Sequence, residues 1–251
     1  MMQIDSIFFA FAIPSVVFAG VSKGGFGSGA AFASATILAL ILEPGQALAL
    51  MLPLLMLIDV ASLKPYWGRW HWPGSRLILL GGVPGVVLGA LLYKAVDDDA
   101  MRVLIGAISV GFVAWRLLQP RLLSGLSDRP FGPSVGIIAG MVAGFASFVS
   151  HAGGPPAAVY LLSQKPGKTE YQASTVLIFW VLNIVKFIPY AFLGLFTLEM
   201  LPIWLLLAPC ALFGTWLGVR LHHIMPERVF FALTYVLLTV TGGKLIWDGI
   251  S

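Results

Sequence analysis

The sequence predicts an all-α integral membrane protein of two inverted-topology repeats, each a re-entrant or broken helical hairpin plus three transmembrane helices. Its composition, its apolar segments and its loop charges carry that expectation. Of 251 residues, 59% are hydrophobic and 10% charged, and the mean hydropathy is +0.93. A soluble domain carries about 25% charged residues, so this chain lacks the polar surface that water requires. A spanning helix takes about 20 apolar residues, and little of the chain remains for a soluble domain. The net charge of +4 does not point to nucleic acid, because the basic residues sit in short loops between apolar runs.

Ten apolar segments follow in order: 5–20, 28–42, 46–63, 74–94, 99–118, 132–149, 154–163, 172–190, 199–221 and 228–248. The first has no Lys or Arg before it and carries Asp5, so it reads as an uncleaved first helix rather than a signal peptide. The first, second and seventh segments are too short for a comfortable span. Each short pair meets at a glycine-rich stretch: Ser22 to Gly29 in the first pair, and Ser150-His151-Ala152-Gly153-Gly154-Pro155-Pro156 in the second. Glycine and proline there permit sharp turns and remove helix hydrogen bonds. Cys210, the lone cysteine, lies inside an apolar run, which excludes an intramolecular disulfide.

Loop charge decides how the short pairs sit. If each pair were one interrupted span, the loop Lys and Arg residues would divide six to six between the two sides. If each is a hairpin that returns to its own side, they divide ten to two, with only Lys94 and Arg102 in the minority. A strong basic bias marks the cytoplasm. The hairpin arrangement therefore fits, and it puts both termini on the periplasmic or extracellular side of a bacterial-type inner membrane.

An odd number of spans per half inverts the second half relative to the first. The sequence carries traces of such a duplication. Glu43-Pro44-Gly45-Gln46 follows the first hairpin as Lys165-Pro166-Gly167-Lys168 follows the second, and Asp59 and Pro65-Tyr66 recur as Asn183 and Pro189-Tyr190. The first repeat is expected over residues 1–120, a cytoplasmic linker over 121–131, and the second repeat over 132–251. Paired helix breaks in inverted repeats mark the binding site of secondary transporters.

Non-helical backbone at bilayer depth must be buried or line a wet cavity. The short helix after each break is expected to offer free N–H groups and a favourable dipole to an anion. Lys23 adds a full positive charge, and no acidic residue near it in sequence neutralises it. His151 holds the corresponding place in the second half. Together with Ser22, Gly24, Gly25, Ser28, Ser147, Ser150, Gly153, Gly154 and Asn183, these residues form the candidate anion site. The bland alternative is that the glycines only allow close helix packing. Asp59 is a proton or cation coupling group, the ion-pair partner of a nearby lysine, or simply a residue placed near a helix end. Asn183 suits a substrate contact or an interhelical hydrogen bond equally. Lys186 and Lys244 lie near helix ends and are expected to snorkel. The rows Gly81/Gly85/Gly89 and Gly136/Gly140/Gly144 read as packing ridges, with a homodimer contact as the lesser reading. His222 and His223 are adjacent and lack a carboxylate cage, so no metal site is expected. No phosphate-binding loop is present, and no cofactor is expected.

The stretches GVSKGGFGSGAAFA (Gly20 to Ala33) and GFASFVSHAGGPPAAVYLL (Gly144 to Leu162), set near the start of each half, give the chain a resemblance. It resembles the sulfite exporter TauE/SafE family, also called the toluene sulfonate uptake permeases, over nearly its whole length. The resemblance implies transport of sulfur-containing anions: sulfite, sulfoacetate, isethionate or another C2 sulfonate. A carrier for another small carboxylate or inorganic anion, or a passive anion channel, is the alternative. An enzyme using His151 lacks a nucleophile and base to accompany it.

Overall fold

A computed structural model describes residues 5–26, 30–123, 130–221 and 227–251. Ser28, the His222-His223 pair and residues 124–129 of the expected linker lie outside the described residues. Among the described residues the regular structure is all helical, with one short 3-10 turn and no strand. The helices are α1 (Ser6–Gly25), α2 (Ala33–Leu38), α3 (Pro44–Tyr66), α4 (Trp72–Ala95) and α5 (Asp98–Leu123) in the first half. The second half holds α6 (Pro133–Ser150), α7 (Gly154–Ser163), α8 (Lys168–Phe192), α9 (Leu201–Leu221) and α10 (Glu227–Ile250). Eight are long and apolar enough to cross a membrane, and α2 and α7 are the exceptions.

The first break falls later than the sequence suggests. α1 does not end near residue 20; it runs 20 residues through Ser22, Lys23, Gly24 and Gly25, long enough to cross alone. Its glycines are held by tertiary contact. A Cβ on Gly24 would stand 2.6 Å from the Thr215 carbonyl oxygen, and one on Gly25 would overlap that of Gly218. Close backbone approach to α9 thus replaces side-chain packing. The chain beyond the break forms only a six-residue helix, followed by hydrogen-bonded turns to Leu42.

The second break is sharper. α6 ends with the His151 N–H bonding the Ser147 carbonyl and the Ala152 N–H bonding the Ala146 carbonyl. This leaves His151 in the left-handed region at φ 57°. Glycine usually holds such a helix end. A histidine there, with a backbone strain of order 1–3 kcal/mol, is the kind of outlier that function retains.

The helices pack in corresponding pairs from the two halves. α1 lies along α9 as α6 lies along α4, and α3 meets α8 as α5 meets α10. The two glycine ridges face each other: Gly81 and Gly85 meet the Ile137 and Met141 carbonyls, while Gly140 and Gly144 meet those of Ile78 and Gly82. The ridges are therefore occupied inside the bundle. α3 is the most central span, with about two thirds of it buried against one third for α4, α5, α9 and α10, whose outer faces carry residues such as Leu80, Leu205 and Val240.

The helix ends sort into two faces. At one, Glu43, Tyr93, Asp98 and Glu199 line a common cavity, and Gly249 sits against Asp99. At the other, His71 bonds Ser174, Phe131 bonds Ser163, and Arg116 and Lys168 line another cavity. Residue 43 therefore shares a face with residues 98 and 199.

Candidate functional site

Two lysines, one aspartate and one histidine are buried among the described residues: Lys23, Lys186, Asp59 and His151. They meet where the end of α1, the middle of α3 and α8, and the break after α6 converge. Lys23 Nζ lies 2.5 Å from Asp59 Oδ1, and Asn183 Nδ2 donates to Asp59 Oδ2 at 2.6 Å. The expectation of an unneutralised Lys23 is thus corrected. Its carboxylate comes from α3, a different helix, which local sequence does not reveal. Of the roles considered for Asp59, the structure displays ion pairing.

Lys186 is the second correction. It does not snorkel; it is fully buried, and its Nζ donates to the Ser147 carbonyl at 2.9 Å and lies 2.8 Å from His151 Nδ1. His151 Nε2 lies 3.1 Å from the Leu48 carbonyl oxygen. A carbonyl only accepts, so Nε2 carries the hydrogen and Nδ1 is left to accept from the Lys186 ammonium. A legible signal existed: Asn183, Lys186 and Tyr190 recur at i, i+3 and i+7, on one face of α8. Lys244 is exposed and pairs with Asp248 one turn further along α10.

The surroundings follow the same offset as the sequence traces. Tyr66 Oη donates to the Gly24 carbonyl at 3.1 Å, and Tyr190 Oη to the Phe148 carbonyl at 2.6 Å, each across 42 residues. The two lysines occupy opposite sides of corresponding contacts. Lys23 reaches from α1 to α3, whereas Lys186 reaches back from α8 to α6. Gln172 Nε2 closes the arrangement on the Lys23 carbonyl at 2.7 Å.

The remaining candidate residues divide. Ser147, Lys23, His151 and Asn183 line a cavity of about 10 Å³ with Ala31, Leu55 and Phe179. That is about the space of one water, so the site is closed around its polar groups. Ser150 Oγ is engaged by the Ala146 carbonyl. Ser22 and Gly154 are buried beside the cluster, in the last turn of α1 and the first of α7. Gly24 and Gly25 face α9, and a Cβ on Gly153 would meet the Ala143 carbonyl at 2.5 Å, so these three are packing positions. The cradle of two facing half-helix ends is also corrected. α2 is a six-residue helix whose first N–H groups already bond Ala30 and Ala31, and the second and third residues of α7, Pro155 and Pro156, have no N–H. Side chains, not helix ends, carry the positive charge here. No group of His, Cys, Asp and Glu residues among the described residues fits a metal ion.

A bundle of apolar helices around a closed cluster of charged side chains defines a multi-pass membrane protein built around an interior polar site. The family model described as sulfite exporter TauE/SafE matches residues 12–245, and the chain belongs to that family of membrane transport proteins. No curated protein and no solved structure matches the chain.

Proposed function

We propose that the chain is a secondary transporter that exports small sulfur-containing anions, such as sulfite or a C2 sulfonate like isethionate or sulfoacetate. The observation that carries this reading is the charge of the buried cluster. With lysine and aspartate in their ordinary states, Lys23 and Asp59 cancel, while Lys186 faces only a neutral imidazole and a carbonyl. The cluster then holds one positive charge in excess. An uncompensated charge at bilayer depth is costly, and a bound monoanion such as bisulfite or isethionate removes that cost. A dianion such as sulfoacetate would exceed that charge by one, so the cluster suits a monoanion best. Lys186 and Lys23 supply the charge in this reading; His151, Asn183 and Ser147 complete the hydrogen-bond shell.

The corresponding helix pairs and the shared offset support two inverted repeats, with a first half near 1–120 and a second near 132–251, that rock against each other. The common face of residues 43, 98 and 199 supports the hairpin arrangement, with the basic face cytoplasmic and both termini outside an inner membrane. The test is a thermal-shift screen of the purified protein against sulfite, isethionate, sulfoacetate, acetate and chloride, followed by counterflow in proteoliposomes. A ligand that binds the native state raises its apparent stability. Stabilisation by a sulfur oxyanion with saturable counterflow supports the reading. Non-saturating flux without counterflow means a channel, and no response to any of the anions removes the assignment.

A further inference from the structure

We propose that the cavity at the basic face is an outer anion site, which collects small anions before they pass Gln172 and Gly25 to the buried cluster. The inference rests on the transport reading above. This cavity measures about 370 Å³, against about 10 Å³ at the cluster, and is large enough to admit a small organic anion. Its polar lining comes from Arg116, Lys168, Tyr171 and Gln172, and its walls from Phe112, Trp115 and Phe231. The Arg116 guanidinium is positioned rather than loose: Nε donates to Tyr235 Oη at 3.2 Å, and the group lies 5.6 Å from the Phe231 ring centre.

Gln172 joins the two sites. It lines the outer cavity and, from the same side chain, donates to the Lys23 carbonyl at 2.7 Å. The floor of the outer site is therefore one residue's thickness from the inner one. The cavity at the opposite face has the same volume, about 370 Å³, but is lined by Glu43, Asp98 and Glu199. An anion is drawn to one mouth and repelled from the other. Such a field raises the local anion concentration and the capture rate at that mouth and leaves the equilibrium ratio across the membrane alone, so its effect belongs in the KM for one face.

The experiment uses iodide as a quencher of Trp115, read as the difference between the protein and its Trp115→Phe variant, with neutral acrylamide as control. Arg116→Gln with Lys168→Gln is expected to lower iodide quenching of Trp115 about 3- to 10-fold and leave acrylamide quenching unchanged. Arg116→Lys with Lys168→Arg is expected to restore it. Equal iodide quenching in parent and glutamine variant overturns the site. In sided vesicles the glutamine variant is expected to raise the KM for sulfite about 3- to 10-fold at the basic face alone, with kcat unchanged; an equal change from both faces overturns its place on the path. If the wild-type protein neither binds nor moves any of the anions tested, the transport reading fails, and the quenching result still decides the outer site.

Discussion

Lys23→Met is the perturbation whose outcome the tertiary structure reverses. A lysine with no acidic neighbour in sequence should be removable without harm to folding, and its loss should appear in anion affinity alone. The structure instead places its Nζ 2.5 Å from Asp59 Oδ1, with the two side chains 3% and 0% exposed. At that distance, and an effective dielectric of about 20, the attraction is about 7 kcal/mol. It is opposed by a desolvation penalty of several kcal/mol for each ion, so the intact pair adds little net stability. Breaking it is another matter. Methionine leaves the buried Asp59 carboxylate with the Asn183 amide as its hydrogen-bond donor and no direct ion-pair partner, and orphaning one member of such a pair costs about 3–5 kcal/mol. Asp59→Asn should cost a similar amount, because it orphans Lys23. The double variant Lys23→Met with Asp59→Asn removes both charges and should recover most of the loss. Thermal unfolding of the four proteins in one detergent measures this cycle, with a coupling expected to exceed about 2 kcal/mol. Additive losses in the double variant would refute the pairing.

Lys186→Met should behave in the opposite sense, because Lys186 faces no carboxylate at hydrogen-bond distance. Its unfolding temperature should hold or rise, while anion affinity falls about 10- to 150-fold, the equivalent of one charged hydrogen bond; unchanged affinity in a titration would exclude Lys186 from the site. At the α6 break, His151→Gly should be more stable than His151→Ala by about 1–2 kcal/mol, because only glycine takes φ 57° without strain. Gly85→Leu should prevent folding, since its Cβ would overlap the Met141 carbonyl oxygen, and size-exclusion profiles will report it. Cysteines introduced at positions 43 and 199 should label from one side of the membrane and a cysteine at 69 from the other; labelling of 43 and 69 from the same side would sink the hairpin arrangement.

What the sequence determined by itself was whatever depends on sums over neighbouring residues. Apolar length located all ten helices. The segment from Glu199 to Leu221, for example, is apolar at nearly every step after its first residue, and no soluble surface could accommodate it. Proline and glycine located the α6–α7 break, and the glycine ridges of α4 and α6 identified a packing seam from spacing alone. The shared offset that relates Asp59 to Asn183 was legible, and it separates the two side chains that do hydrogen-bond. What only the tertiary structure decided was which buried charges meet. Whether Lys23 is neutralised depends on α3 lying against α1, and whether Lys186 snorkels depends on α6 presenting the Ser147 carbonyl and His151 to it. Whether Gly24 and Gly25 end a helix or continue it depends on the α9 backbone beside them. Electrostatic energy in a low-dielectric interior is set by distances of a few ångströms between groups remote in the chain, and no local pattern of residues contains those distances.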